Sequence, residues 1–229
     1  MNRVLRVARV ELTGWPMSLG WPVIILASAF VVNVLIFAAI GDAVTPVTGG
    51  LISIYCVQFI VCWQAMHQFF SFTVGLNATR RSFYLATTLV AIGQSVAFGV
   101  LLYVMAQIER ASGAWGINLN FFDPLPVTHS ASPLTILVYA VPMALVSCWG
   151  LFLGSITKRW GGNGFFTLTL LSIVVVGLLV LLINGMDGWP AIGSWLTDQS
   201  GLALTIGWAL VPTVALAVGG YLPLRRAVP

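Results

Sequence analysis

Six long apolar stretches alternate with short polar gaps along this 229-residue chain, and nine of its ten Lys and Arg residues fall in four tight clusters beside those stretches. The clusters are Arg3/Arg6/Arg9, Arg80/Arg81, Lys158/Arg159 and Arg225/Arg226. Five of the six acids, Asp42, Glu109, Asp123, Asp187 and Asp198, occupy the other gaps. If every apolar stretch crosses a bilayer, all four basic clusters land on one side, which is the positive-inside asymmetry that orients membrane proteins. The expectation is an all-α integral membrane protein with six transmembrane helices and both N- and C-termini in the cytoplasm.

Composition agrees. Only 7% of the residues are charged, against about 25% in a soluble domain, and the mean hydropathy is +0.99. A net charge of +4 raises nucleic acid as a partner, but basic pairs beside apolar spans make no continuous patch. They read as anchors on anionic membrane lipid and as a face for a cytoplasmic partner. The Ala27-Ser28-Ala29 triplet resembles a signal cleavage site, yet its apolar run continues through Ile40, beyond a signal h-region; a retained span is expected. Cys56, Cys62 and Cys148 all lie in apolar stretches without a CxxC. They are expected as small buried hydrophobes, with neither disulfide nor metal.

A hydrocarbon core of roughly 30 Å takes about 20 helical residues. The expected spans cover about 15–40, 49–72, 82–108, 133–156, 164–183 and 201–224, within a single transmembrane domain over 1–229. Residues 1–14 are expected as a short amphipathic interfacial helix, with Val4, Leu5, Ala8 and Leu12 on one face and Arg6 and Arg9 off it. Pro142 and Pro212 are expected to kink their spans. Short cytoplasmic loops are expected over 73–81 and 157–163, an irregular external loop over 109–132, and a last external loop over 184–200. Trp189 and Trp195 in that last loop suit an outer aromatic belt.

No glycine-rich loop ending in Gly-Lys-Ser/Thr, no HExxH and no Gly-x-Ser-x-Gly occurs, so neither a nucleotide-binding P-loop nor the common hydrolase signatures are present. No catalytic, cofactor-binding or metal-binding residue is assigned, and the chain is not expected to be an enzyme. The spans carry no ionisable group at mid-membrane, His67 lying near the end of the second, which argues against an ion-driven pump. Ser53, Gln64, His67, Gln68 and Ser71 share one face of the second span at 100° per residue. That face either lines a substrate path or subunit interface, or supplies hydrogen bonds that hold the bundle together. Thr87 and Gln94 share a face of the third span, and the same two readings apply. Gly150 and Gly154 form a small-xxx-small pair that permits close helix approach.

The most specific segment runs from Phe70 to Leu85. Gly75 can break the second span, Asn77 or Thr79 can cap the third helix, and Arg80 and Arg81 then face the cytoplasm with Phe83 and Tyr84 at the interface. Such an elbow suits docking of a soluble partner; an ordinary hairpin with snorkelling arginines is the alternative. Here the chain resembles the permease subunits of bacterial type-2 ATP-binding cassette exporters. Those chains carry a glycine, a Ser/Thr-Arg-Arg and an aromatic between their second and third spans, much as Gly75 through Tyr84 do. Leu153 through Gly164 is similar to their small-residue, basic, Trp-Gly turn, and Tyr221 through Ala227 to the usual close of their sixth span. The resemblance implies two paired permeases, either two copies or a sister chain, above two separate ABC-type ATPase subunits that hold the ATP and Mg. Gly75, Asn77, Thr79, Arg80 and Arg81 would form the ATPase-coupling element, in the plasma membrane of a bacterium. The implied activity is export of an amphipathic, peptide or drug-like substrate. A non-transporting scaffold or immunity-type protein, or an accessory subunit of a membrane enzyme, is the alternative.

Overall fold

The computed structural model describes residues 7–9, 14–40, 48–75, 78–123 and 134–225. Among them every long element is a helix. In order these are α1 (Trp15–Ile40), α2 (Ile52–Gly75), α3 (Arg80–Ala111), α4 (Thr135–Gly185), α5 (Trp189–Asp198), α6 (Ala209–Gly219) and α7 (Tyr221–Leu224), with a 3-10 turn over Ala114–Gly116. Four stretches are long and apolar enough to cross a membrane: Ser18–Ala39, Arg80–Ala111, Thr135–Gly185 and Ala203–Leu224. The chain is therefore an all-helical membrane protein. Helix α2 has 24 residues, but Gln58, Gln64, His67 and Gln68 dilute its apolar character.

Three sequence expectations need correction. The loop expected over 157–163 is a break at one residue. Gly161 (φ 67°, ψ −158°) is the non-helical position inside the 51-residue α4. Glycine alone enters this conformation without a Cβ penalty, and it leaves two straight arms, 135–160 and 162–185, each about 36–39 Å long. The second correction is α5, a ten-residue helix within the loop expected over 184–200. It opens with Trp189 and Pro190 at its first positions, where proline's missing N–H costs no hydrogen bond. The third concerns proline kinks: α4 runs through Pro142 with helical dihedrals on both sides. At Pro212, by contrast, the preceding turn widens into a π segment, Ala203–Trp208. That segment ends at the residue whose carbonyl proline leaves unbonded.

The packed centre of the molecule is layered along the helix axes. One apolar cluster joins Phe37, Leu51, Ile54, Phe98, Leu102, Tyr139 and Met143 to the loop residues Leu119, Phe121 and Phe122. The other joins Val7, Cys62, Met66, Phe70, Phe83, Tyr84, Leu151 and Leu224. Between them lies a polar layer of Gln58, Gln94, Ser95 and Ser147, all buried. The two halves end differently. Beyond the first cluster lie Glu109, Arg110 and Asp123, with the Arg110–Asp123 ion pair at 2.7 Å. Beyond the second, an Arg80 guanidinium N–H donates to the Arg225 carbonyl at 2.9 Å and the Lys158 ammonium donates to the Ser71 hydroxyl at 2.8 Å. Arg80, Lys158 and Arg225 thus gather at one end of the bundle, beside the described piece of the N-terminal segment (residues 7–9, helical). The remainder of the expected interfacial helix lies outside the described residues.

Helices α2 and α4 approach closely at the Gly150/Gly154 pair. A Cβ on Gly150 would sit 2.5 Å from the Phe59 carbonyl oxygen and 3.2 Å from the Trp63 nitrogen; one on Gly154 would sit 2.7 Å from Met66 Cβ. Backbone contact of this kind is what small residues at i and i+4 provide in a membrane bundle. The second arm of α4 packs far less: from position 169 to 182 every residue is exposed.

Candidate functional site

The polar stripe expected on α2 divides in two. His67 and Ser71 turn toward α4. There Thr157 Oγ1 lies 2.7 Å from His67 Nε2, accepts the Trp63 indole N–H at 3.1 Å and donates to the carbonyls of Leu153 or Gly154. A hydroxyl has one donor and two acceptor sites, so the count closes when His67 donates through Nε2. Ser71 accepts from Lys158. These two residues are bundle hydrogen-bonders. Ser53 is half-buried and its hydroxyl is unpartnered.

Gln64 and Gln68 face elsewhere. Both are exposed and open onto a cavity of about 490 Å³ between α1, α2 and α3. Its apolar wall includes Trp21, Ile25, Val61 and Phe69, and its polar spots are Ser18, Gln64, Gln68, Thr87 and Gln94. The expected pairing of Thr87 with Gln94 on one face of α3 is therefore seen at this wall. Among the described residues no Asp, Glu, His, Lys or Arg side chain lines the cavity. Neutral donors and acceptors on an apolar wall can hold the uncharged polar part of an amphiphile.

Behind Gln94 lies Gln58, a residue the helical projection did not single out. It is fully buried, and its Nε2 lies within hydrogen-bond range of Gln94 Oε1 (3.1 Å), Ser147 Oγ (3.2 Å) and Cys62 Sγ (3.4 Å). Ser147 in turn meets Ser95 Oγ at 3.3 Å. Five side chains from α2, α3 and α4 thus form one network, while Gln58 Oε1 has no partner. Ile54, Gln58, Cys62 and Met66 repeat every fourth residue and are all buried, a face that a largely apolar helix does not mark in sequence.

The elbow is compact. Helix α2 ends at Gly75, and Thr79 is the N-cap of α3, its side chain accepting from the Ser82 backbone N–H at 3.2 Å. Of the two capping residues expected, Thr79 fills the role; Asn77 lies outside the described residues. Arg81 is exposed, while Arg80 is tied to Arg225. Phe83 and Tyr84 are buried rather than interfacial. Phe83 packs on Phe70 at 5.4 Å, and the Tyr84 hydroxyl donates to the Ala217 carbonyl at 2.7 Å. The elbow is thereby fastened to the C-terminal helix from two sides.

Glu109, read from sequence only as an acid in a polar gap, is a fully buried anchor. Its carboxylate accepts from the Trp115 indole and from the backbone N–H groups of Phe121, Phe122 and Asp123. This carboxylate supplies the loop's backbone donors with the partners that regular structure would otherwise provide.

All three cysteines are free, and no group of three or more His, Cys, Asp or Glu side chains able to hold a metal occurs among the described residues. Comparison with family models, with curated proteins and with solved structures finds no match to this chain.

Proposed function

We propose that this chain is the permease subunit of an ATP-driven exporter, crossing the bacterial plasma membrane six times with both ends in the cytoplasm and powered by a separate ATPase subunit. The observation that carries this reading is the elbow at the basic end: a helix that ends at Gly75, a helix start capped by Thr79, one exposed arginine, and a direct tie from Arg80 to the last helix. A partner pressing on such a turn moves α2, α3 and α7 together, as a bundle with two packings requires. The two arms of α4 then count as the fourth and fifth spans, turning at Gly161. The amphipathic cavity beside Gln64, Gln68 and Gln94 suits an amphipathic cargo entering from the membrane. The long exposed face of the second α4 arm suits pairing with a second permease, a copy or a sister chain.

The test is affinity capture of tagged protein in detergent, with mass spectrometry and an ATPase assay on what accompanies it. A P-loop ATPase should be recovered from the wild type and lost from an Arg80→Ala/Arg81→Ala variant that still inserts. Recovery of the chain alone, without nucleotide hydrolysis, would overturn the reading.

A further inference from the structure

A second groove, of about 480 Å³, runs between the first arm of α4 and the C-terminal helices. One wall carries Phe152, Ile156, Arg159 and Trp160; the other carries Gly219, Leu222, Pro223 and Arg225. The α4 positions follow i, i+4, i+7 and i+8, one face of a helix, and span about 10 Å from Phe152 to Arg159. The groove is therefore graded: apolar along its length and cationic where it reaches the basic end of the bundle. Among the described residues no acidic side chain lines it. Among the described residues neither the Arg159 nor the Arg225 guanidinium has a hydrogen-bond or ion-pair partner; Arg159 lies over the Trp160 ring at 4.1 Å. Stacking covers a guanidinium face and leaves its N–H edge free to donate, the geometry arginine uses toward phosphate.

We propose that this groove is a binding site for an anionic phospholipid, its phosphate held by Arg159 and Arg225 and one acyl chain lying along Phe152, Ile156 and Leu222. Basic pockets between spans at the headgroup level take such lipids. A free phosphate would use only the two arginines and leave about 10 Å of apolar wall without a partner. The inference needs the chain to be embedded in a membrane and is independent of the exporter reading.

The experiment is native mass spectrometry of the detergent-purified protein titrated with phosphatidylglycerol or phosphatidylcholine. The wild type should retain one phosphatidylglycerol in preference to phosphatidylcholine. Arg159→Gln/Arg225→Gln should weaken that retention roughly 25-fold, about fivefold per arginine, while Arg159→Lys/Arg225→Lys should keep most of it. Arg81→Gln removes one positive charge outside the groove and should leave retention unchanged, against the loss of about fivefold expected of either groove arginine alone. Gly219→Leu keeps both arginines but fills the groove; a Cβ there meets Phe152 at 3.7 Å, an ordinary contact, and longer side chains extend into the lipid's place. It should lose the preference as well. Equal loss on Arg81→Gln, full retention in Gly219→Leu, or displacement by millimolar inorganic phosphate would each overturn the site.

Discussion

Substituting Gly150 by Ala is the sharpest test of the layered packing. The added Cβ would lie 2.5 Å from the Phe59 carbonyl oxygen, 3.0 Å from Cys62 Cβ and 3.2 Å from the Trp63 nitrogen. Two of these three atoms are backbone, so no side-chain rotation relieves the clash. Reaching an ordinary 3.4 Å contact requires α4 to retreat from α2 by 3.4 − 2.5 = 0.9 Å. That retreat stretches the Gln58–Ser147 hydrogen bond, now 3.2 Å, past the useful range. Overpacking costs about 1–3 kcal/mol, and the lost buried hydrogen bond about 1 kcal/mol more. Exchanging glycine for alanine in a helix returns up to about 1 kcal/mol, which leaves a net loss of roughly 1–3 kcal/mol. Gly177→Ala is the control, because a Cβ at Gly177 has nothing within 4 Å; it should be neutral or slightly stabilising. The assay is reversible unfolding in mixed micelles, comparing the two variants with wild type. Indistinguishable stability of Gly150→Ala and Gly177→Ala would refute the contact between α2 and α4 on which the polar layer depends.

Three other outcomes follow from the same geometry. Thr79→Ala removes the cap on α3 and should cost about 0.5–2 kcal/mol, read as faster amide hydrogen exchange at Ser82 and Phe83, with Thr79→Ser restoring protection. Glu109→Ala strands three backbone donors and the Trp115 indole, and should cost about 3 kcal/mol or more; limited proteolysis between Ser112 and Asp123 and a shift in tryptophan emission report it. Gln58→Met alone leaves Gln94 Oε1 without its donor and should lower the thermal midpoint, whereas Gln58→Met/Gln94→Met removes both partners and should recover most of the loss.

What the sequence made legible was decided by length and charge. Apolar runs placed the helices within a few residues of their observed ends, because no other arrangement satisfies so many backbone groups without water. Among the described residues, Arg80, Lys158 and Arg225, from three of the four basic clusters, lie at one end of the bundle. The site was less legible. A helical projection sorts residues onto faces but does not say which face meets a neighbour, so Ser53 through Ser71 looked like one stripe although α4 takes His67 and Ser71 and the cavity takes Gln64 and Gln68. Gln58 escaped because a single amide among apolar neighbours shows no amphipathic pattern; its meaning comes from Gln94 and Ser147, 36 and 89 residues away. Gly161 was hidden for a related reason. Local composition there reads as a loop, while one residue in a left-handed conformation turns the chain with no loop at all.

The tie between Arg80 and Arg225 has a consequence for biosynthesis. Its partners are 145 residues apart, and Tyr84 waits likewise for Ala217, 133 residues downstream. At about 5–20 residues per second, a ribosome needs roughly 7–30 s after making the elbow before its fastening arrives. Until then α2 and α3 can insert as a hairpin, joined by the Phe70–Phe83 contact and capped at Thr79 but without their tie to the C-terminal helix. A chain interrupted before residue 217 would therefore sit in the bilayer with its first helices intact and with an unfastened elbow. The order of translation leaves the elbow, made early, waiting for the last helices before it is fastened.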